Sequence, residues 1–479
     1  MNTEALKGSV FPEETHDKTL NLEQLLETKY KDFRTSVMSK KLVESEILRI
    51  SWEIKELVSK GQDICDLTLG DFNPKDFPIP QMLQMEIKKA LEQGNTNYPP
   101  ADGIKELKKA VQQYVEHEYN VRYPLESILI YGGARPALYT AYRVLLDPGD
   151  IALYSLPSWN NNHYMTLSDG RPVEIETKSE NNFFPTIDDI RPFLSKARVI
   201  ELSSPLNPTG TLISSENLKS ICEAIVAENR RRQELNAGIK KENKGGMKEG
   251  IVEKEEKEIN EVKEGKELFL VYDQVYAGLV SPSGIHAFPT ALCPEVAKYT
   301  LVIDGISKSF AATGLRVGWT LGPCDVINRM KAVLGHIGAW APRPEQVATA
   351  AFLTAHDEIR KYRVFITGEL EKRLFFLHNT MQNLKKKGLP VDSIEPKGSI
   401  YLSLRFDIRG RKRKNGKTLE DAEDMRAFLL EEAGLGLVPF YAFGCFNHPT
   451  WFRASVGGIS LASLEKVPER LEKALATLI

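Results

Sequence analysis

The chain has 479 residues, of which 63 are Lys or Arg and 65 are Asp or Glu, and its formal net charge is −2. This near-neutral balance argues against a protein whose main task is to grip a nucleic-acid backbone, because that task needs a basic surface. No apolar run approaches the roughly 18 residues of a membrane span, and the N-terminus lacks the basic-then-apolar layout of a signal peptide. The 5 cysteines form no C-x-x-C pair and the 8 histidines are dispersed. The sequence therefore predicts a cytoplasmic protein with free thiols and no metal site.

The first part of the chain divides into a polar extension and an amphipathic helix. Residues 1–33 are weakly patterned, and they are interpreted as an N-terminal extension. An amphipathic run from Val43 predicts a helix that ends at Gly61, and the apolar segment that follows predicts a strand ending at Gly70.

Helical and strand patterns then alternate up to about residue 305. The predicted strands lie in the segments SILIYGG, DPGDIALYS, ARVIELSSP, ELFLVYD and YTLVIDG. Apolar strands that alternate with amphipathic helices predict an α/β fold with three layers, in which helices cover both faces of a mostly parallel sheet. We expect a large domain over residues 76–340.

The remainder of the chain predicts a smaller α+β domain. A helical pattern runs from Glu345 to Gly388, and the strand-like segments GSIYLSLRF and WFRASVG follow with a helix between them. We expect residues 34–75 and 341–479 to form this small domain together.

Residues 229–266 interrupt the alternation. They hold 3 Arg, 8 Lys and 9 Glu, and they contain no aromatic side chain. Such a segment buries too little apolar surface to offset the entropy lost on ordering, so we expect an exposed, disordered insertion that is helical in part at most.

Two glycine-containing turns follow predicted strands. Gly132–Pro136 lies where a strand meets a helix, and backbone N–H groups at a helix N-terminus bind anions. Asn207–Gly210 follows the strand RVIEL. A tight turn with no ligand remains the alternative for both segments.

Four further side chains follow predicted strands and carry chemistry. Asp273 ends an apolar strand, where α/β sheets bind ligands, and Tyr276 comes three residues later. Lys308 follows another strand, and burial there would lower the pKa of its amine and make it a nucleophile towards carbonyls. Arg316 could bind an anion. A helix cap or ion pair for Asp273, and a solvated charge for Lys308, remain the alternatives.

The ordered motifs carry a resemblance to a known family. The set G-A-R-P-A-L, P-S-W, N-P-T-G, D-x-x-Y and S-K-S-F-x-x-x-G-x-R-x-G resembles the fold-type I, class I/II aminotransferases, and aspartate aminotransferases in particular. The match runs from about Ser39 to Leu475, apart from residues 229–266. The resemblance implies pyridoxal 5′-phosphate as the cofactor.

The resemblance also implies roles around the cofactor ring. Lys308 would form the Schiff base with the cofactor and shuttle the substrate proton. Asp273 would hold a proton on the pyridine nitrogen, and Tyr276 and Asn207 would hydrogen-bond the phenolic oxygen. Trp159 would stack on the ring.

The resemblance also implies which residues bind the cofactor phosphate and which bind the substrate. Ala134, Arg135, Ser307 and Arg316 would hold the phosphate. Tyr98 would reach the phosphate of a neighbouring subunit, which implies a homodimer with shared active sites. The predicted substrate-binding residues are Gly70, Trp159, Asn207, Arg453 and Arg135, of which Arg453 would bind the α-carboxylate.

Two positions call for comment. Gly305 stands where the family often has a phosphate-binding serine, and Thr313 is no obvious replacement. Arg135 could recognise the distal carboxylate of aspartate or glutamate, with a structural arginine beside the phosphate as the alternative.

The leading hypothesis is an amino acid:2-oxo acid aminotransferase of amino acid metabolism, with aspartate or glutamate favoured and a ping-pong mechanism. A β-lyase or decarboxylase on the same scaffold is the enzymatic alternative. A non-catalytic effector-binding module is disfavoured, because residues 1–40 are too short and too little basic for a DNA-binding domain.

Overall fold

The computed structural model of the chain describes Leu22 and residues 35–242 and 266–479. The chain divides into a unit of residues 1–43 and a unit of residues 44–479. The first unit holds a short helix, α1 (Val37–Lys41), whose first turn is capped by the Ser36 side chain. This helix follows the predicted N-terminal extension, residues 1–33, which lies outside the described residues apart from Leu22.

The second unit contains all the described strands. They are β1 (Cys65–Asp66), β2 (Ile128–Tyr131), β3 (Ile151–Leu156), β4 (Arg171–Glu176), β5 (Ala197–Ser203), β6 (Phe269–Asp273), β7 (Thr300–Gly305), β8 (Gly318–Leu321), β9 (Val391–Ser393), β10 (Tyr401–Phe406), β11 (Leu435–Gly436), β12 (Val438–Pro439) and β13 (Trp451–Ser455).

A seven-stranded sheet lies at the centre of the larger core, in the order β2-β8-β7-β6-β5-β3-β4. Strand β8 pairs antiparallel with β2 and β7, whereas the pairs that join β7, β6, β5, β3 and β4 are parallel. Ser203 pairs with Asp273, and Asp273 pairs with Ile303. The carboxyl ends of β5, β6 and β7 therefore meet at one edge of the sheet, which is where ligands bind in this architecture.

Helices connect these strands and cover the sheet. Those of the second unit are α2 (Glu46–Ser59), α3 (Gln81–Glu92), α4 (Lys105–Tyr119), α5 (Ala134–Leu145), α6 (Asn161–Ser168), α7 (Ile187–Ile190), α8 (Ser215–Glu242), α9 (Pro289–Leu292), α10 (Ile306–Ser309), α11 (Cys324–His336), α12 (Arg343–Leu353), α13 (His356–Lys386), α14 (Ala422–Ala433), α15 (Leu461–Leu464) and α16 (Val467–Leu475). The predicted α/β fold with a mostly parallel sheet is confirmed. None of the helices in the described ranges is both long and apolar enough to cross a membrane.

A smaller antiparallel sheet follows in the order β12-β13-β10-β9, and helix α13 packs on it. Its core joins β10 and β13 side chains such as Leu404 and Phe452 to Leu377 of α13 and to Leu67 from the N-terminal part of the unit. This small sheet is the α+β part that the sequence predicts. The domain boundaries 34–75, 76–340 and 341–479 stay a prediction. Because Ala348 and Phe352 of α12 pack into the core of the larger sheet, we propose that the last boundary lies after α12.

Three predicted elements differ from the structure. Helix α8 continues to Glu242, and within the predicted insertion Asn229 and Arg232 are buried. Asn229 hydrogen-bonds the backbone of Leu268, and Arg232 donates to the carbonyls of Leu194 and Ala197. The exposure predicted for this segment is therefore wrong at Asn229 and Arg232, because polar side chains can be buried when they are hydrogen-bonded. Residues 243–265 lie outside the described residues.

The other two differences concern length. The strand predicted up to Gly70 is only the two-residue β1, which pairs with β11. The helix predicted from Glu345 to Gly388 is two helices, α12 and α13, which are separated at Thr354 and Ala355.

Candidate active site

Lys308 lies on the one-turn helix α10, directly after the buried strand β7. Its Nζ donates a hydrogen bond to the carbonyl oxygen of Gly70 at 2.5 Å. The pKa of this amine falls to about 8, because burial and the neighbouring Arg453, Arg135 and Arg316 lower it by more than Asp71 raises it. The amine is therefore poised to become a neutral nucleophile near neutral pH.

Asp273 ends β6 and is buried at the same edge of the sheet. The pKa of its carboxyl rises to about 6, because burial raises it by more than the charge of Lys308 and a hydrogen bond from the Val275 N–H at 3.1 Å lower it. A buried carboxylate of this kind gains free energy from a cationic partner.

Tyr276 follows Asp273 and lies beside Lys308, whose Nζ is 5.7 Å from the centre of the tyrosine ring. The Tyr276 hydroxyl is hydrogen-bonded to the hydroxyl of Tyr401 at 2.7 Å, and either oxygen can be the donor. Burial raises the pKa of the Tyr276 hydroxyl well above its usual range, so this group stays protonated.

Arg453 lies on β13 and is only 1% exposed. It donates to Asn207 Oδ1 at 3.1 Å and to the carbonyl oxygen of Thr68. Within the described part of the chain its Nε has no hydrogen-bond partner. A buried guanidinium with an unpaired donor fits an anionic ligand, because an unsatisfied buried charge is costly.

The Gly132–Gly133 turn meets Arg316 at the start of α5. Gly133 has a φ of +87°, and a Cβ there would lie 2.3 Å from Arg316 Nη2. Arg316 donates to the carbonyls of Thr313 and Gly132 at 2.8 and 3.1 Å. The guanidinium therefore lies against the backbone at the N-terminus of α5, which begins at Ala134. This combination is suited to a phosphate group.

Arg135 is the second residue of α5, and its side chain contacts Trp159. The exposed Arg135 guanidinium stacks over the Trp159 ring at 4.8 Å from its centre. The charge of Arg135 acts on both Lys308 and Arg316, so these side chains face a common space. Ser307 is buried one residue before the lysine.

Tyr98 is a predicted site residue, but among the described residues it makes no contact with this group. It is 81% exposed, and its ring packs edge-on against Trp340 at 5.3 Å.

Gly305 has a steric reason to be glycine. A Cβ at this position would lie 2.8 Å from the backbone oxygen of Val317, so a serine would require the strand to shift. Thr313 donates its hydroxyl to Asp71 at 2.8 Å, which occupies its donor away from the α5 turn.

Comparison with known proteins assigns the chain to a family. The family model described as "Aminotransferase class I and II" matches residues 62–231 and 252–471. The chain belongs to the class I and II aminotransferase family. Such enzymes use pyridoxal phosphate, and this aminotransferase is accordingly a pyridoxal-phosphate-dependent transaminase, as the motifs predict.

Two curated relatives are similar in sequence over most of the chain. The aminotransferase is 26% identical over 434 residues to the aspartate aminotransferase of Geobacillus stearothermophilus, a match that covers 90% of this chain and 96% of the relative. It is 26% identical to a probable aspartate/prephenate aminotransferase of Thermus aquaticus, over 91% of this chain and 98% of the relative.

Solved structures share the architecture. The aspartate aminotransferase of Rhizobium meliloti superposes with a TM-score of 0.79 at 24% identity, over 94% of this chain and 100% of that one. The Thermus thermophilus aspartate aminotransferase with maleate gives a TM-score of 0.76 at 25% identity, over 92% and 99% of the two chains.

The described residues fit the cofactor of this aminotransferase. The cofactor's aldehyde requires an amine of lowered pKa, which Lys308 provides. Its pyridine nitrogen requires a buried carboxylate, which Asp273 provides. Its phosphate requires a cation beside a glycine turn, and the Arg316 guanidinium lies against Gly133. Among the described residues, no group of three or more His, Cys, Asp or Glu side chains could hold a metal ion.

Tyr401 carries no signal in the sequence that separates it from the core. It lies in the alternating strand GSIYLSLRF, where a buried tyrosine is indistinguishable from a core residue. Gly398, three residues earlier, is the sole local signal, and it does not indicate a contact with Tyr276.

Proposed function

We propose that this transaminase takes aspartate or glutamate as its amino donor and passes the amino group to a 2-oxo acid by a ping-pong mechanism. The observation that carries the proposal is the set of cations around one amine: Arg316, Arg453 and Arg135 all act on Lys308. A cofactor phosphate and an α-carboxylate account for two of them. The third, Arg135, supports a second carboxylate on the substrate.

The relatives support the same substrate class. Aspartate is named in the descriptions of both curated relatives, and the Thermus thermophilus structure carries maleate, a dicarboxylate. The position of Arg135 over Trp159 supports its reaching a distal carboxylate beside the cofactor ring.

The residues divide the chemistry as follows. When bound, pyridoxal phosphate supplies a ring that accepts the electron pair released at the substrate Cα. Lys308 Nζ would take the proton from the substrate Cα and return it to C4′ of the cofactor, the carbon on the other side of the transferred nitrogen. Asp273 keeps the pyridine nitrogen protonated, which strengthens the pull of the ring on those electrons.

The remaining residues orient the cofactor and the substrate. Arg453 fixes the α-carboxylate with its unpaired Nε and its outer nitrogens, and Gly70 contributes backbone over the substrate. Tyr276 and Asn207 hydrogen-bond the phenolic oxygen, and Trp159 stacks on the ring. Ala134, Ser307 and Arg316 hold the phosphate.

We further propose a homodimer in which Tyr98 completes the phosphate site of the partner subunit. The Tyr98 side chain is largely exposed, so a partner subunit can contact it, and this supports the role. The 5 cysteines without a disulfide support a reducing, cytoplasmic location. The similarity to aspartate aminotransferases supports a role in amino acid metabolism and biosynthesis.

A panel of amino donors with 2-oxoglutarate, or with oxaloacetate when glutamate is the donor, tests the substrate proposal. We expect aspartate and glutamate to exceed alanine and phenylalanine by about tenfold or more in kcat/KM, because one charge-assisted carboxylate contact is worth about 1.5–3 kcal/mol. A panel led by alanine or by aromatic donors would contradict the distal-carboxylate role of Arg135. Release of ammonia or of carbon dioxide as the main product would favour a β-lyase or a decarboxylase instead.

A further inference from the structure

Tyr401 joins several parts of the site although it belongs to none of its motifs. It is 1% exposed at the start of β10. Its hydroxyl lies 2.7 Å from that of Tyr276, and the two rings meet edge-on at 5.4 Å. A Cβ on Gly70 would lie 2.3 Å from the Tyr401 oxygen, so this tyrosine also touches the backbone that accepts the Lys308 hydrogen bond.

The position of Tyr401 is fixed by its strand. The Ser403 hydroxyl donates to the carbonyl oxygen of Thr209 at 3.0 Å, and a Cβ on Gly210 would lie 2.1 Å from the carbonyl oxygen of Tyr401. Strand β10 is thus held against the turn that carries Asn207. The Tyr401 side chain has little freedom to move relative to the site.

The ring of Tyr401 makes a second contact with the site. The Arg453 guanidinium carbon lies 4.6 Å from the centre of the Tyr401 ring and 4.9 Å from that of Phe443. Two aromatic rings therefore contact the guanidinium, and such contacts are strongest where water is excluded. The ring restricts the orientation in which Arg453 meets a carboxylate.

We propose that Tyr401 is a positioning residue with two separable parts: its hydroxyl donates to the Tyr276 oxygen, and its ring orients Arg453. This inference rests on the proposed function through the role of Tyr276. A tyrosine hydroxyl has one proton, so when the Tyr276 oxygen accepts from Tyr401, its own proton is free for the phenolic oxygen of the cofactor. Chains of hydrogen bonds also strengthen one another in a buried site.

Several charged groups face this pair of tyrosines. They are Lys308 on α10, Asp273 on β6, Arg453 on β13 and Asp71 in the loop after β1. The Tyr401→Phe substitution leaves all of them in place, so its effect reports on the hydroxyl alone.

The test is an absorbance titration of the holoenzyme against pH, without substrate. A hydrogen bond donated to the phenolic oxygen stabilises its anionic form, so a weaker bond raises the pKa of the bound cofactor. We expect Tyr401→Phe to raise that pKa by about half a unit. The KM for the amino donor should change by less than about twofold, because the ring over Arg453 remains.

Two further variants separate the parts of the proposal. Tyr401→Leu removes the ring, and we expect the KM for the amino donor to rise by about tenfold. If this variant does not fold, Tyr401→Phe still decides the hydroxyl part. Tyr123→Phe is the matched control, because it removes another buried tyrosine hydroxyl, which donates to Thr290 at 3.0 Å, and it should leave the cofactor pKa unchanged.

The combination with Tyr276→Phe gives the decisive outcome. If Tyr401 acts through Tyr276, the double variant should shift the cofactor pKa no further than Tyr276→Phe alone. Additive shifts, a shift no larger than that of Tyr123→Phe, or a fall in the pKa would overturn the inference. A wild-type chain that binds no cofactor through Lys308 would instead overturn the proposed function, so the two failures are distinguishable.

Discussion

At the scale of single residues, glycines determine how closely cations and backbone approach one another. Gly133 has positive φ and leaves room for Arg316, and Gly305 leaves room for the backbone of Val317. The sequence identifies the glycine pair at 132–133 as a candidate anion site, but the filling of its cradle by an arginine 183 residues later (316 − 133) is a tertiary contact.

Replacing Gly133 by alanine tests this arrangement. The new Cβ would overlap Arg316 Nη2, displace the guanidinium and weaken the phosphate site. We expect the dissociation constant for pyridoxal phosphate to rise by about tenfold, which corresponds to the loss of one charge-assisted hydrogen bond. A fluorescence titration of the cofactor-free protein measures it.

Gly149→Ala is the matched control. Gly149 has a φ of +84°, so alanine is also placed at a positive φ there, but no atom lies within 4 Å of the added Cβ. Equal losses of cofactor affinity in the two variants would show that strain, and not the contact with Arg316, is responsible.

At the scale of elements, parallel pairing of β5 and β6 places a second buried carboxyl near Asp273. Glu201 pairs with Val271, and Ser203 pairs with Asp273. Since alternate residues of a strand share a face, Glu201 and Asp273 point to the same side of the sheet. Asn161 Nδ2 donates to Glu201 at 2.7 Å, and burial raises the pKa of the glutamate to about 8.

This raised pKa predicts a pH-dependent stability. The folded state binds the Glu201 proton more tightly than the unfolded state, so the free energy of unfolding falls as pH rises from about 4.5 to about 8. Glu201→Gln removes this dependence. The Tm of Glu201→Gln minus the Tm of the wild type should therefore be several °C larger at about pH 8 than at about pH 4.5.

Thermal unfolding of the holoenzyme across this pH range checks the prediction. Glu180→Gln, at an exposed position, serves as the control and should track the wild type throughout. A Tm difference between Glu201→Gln and the wild type that stays constant with pH would mean that Glu201 is ionised in both the folded and the unfolded state.

The elements also differ in how far sequence alone could predict them. Strands β2, β3, β6 and β7 carry apolar runs, whereas Arg198 and Glu201 interrupt β5. The motifs at the ends of these strands indicate which residues form the site. Tyr401 and the packing of α12 could not be predicted, because both depend on contacts between segments far apart in the chain. The burial of Asn229 and Arg232 could not be predicted either, because the high charge content of their segment indicates an exposed surface.

At the scale of the whole molecule, the proposed sharing of sites predicts complementation. Lys308→Ala chains lack the lysine and Tyr98→Ala chains lack the tyrosine. A mixed dimer would contain one site with both residues intact and one site with neither. The two variants are unfolded and refolded together. At limiting cofactor concentration, we expect the activity of this mixture to exceed the mean activity of the separately refolded variants.

The control is the same mixture without the unfolding step. A refolded mixture whose activity equals the mean of the two variants would contradict a shared phosphate site.

The central claim is that Lys308 carries the proton transfer of a transaminase, and a single-turnover measurement tests it most directly. The holoenzyme is mixed with aspartate and no oxo acid acceptor, and oxaloacetate and the cofactor spectrum are followed together. We predict one oxaloacetate per bound cofactor, with conversion of the cofactor to its amine form, and at least about a 10³-fold slower conversion in Lys308→Ala. Undiminished conversion in Lys308→Ala, or product beyond one equivalent without an acceptor, would contradict the account.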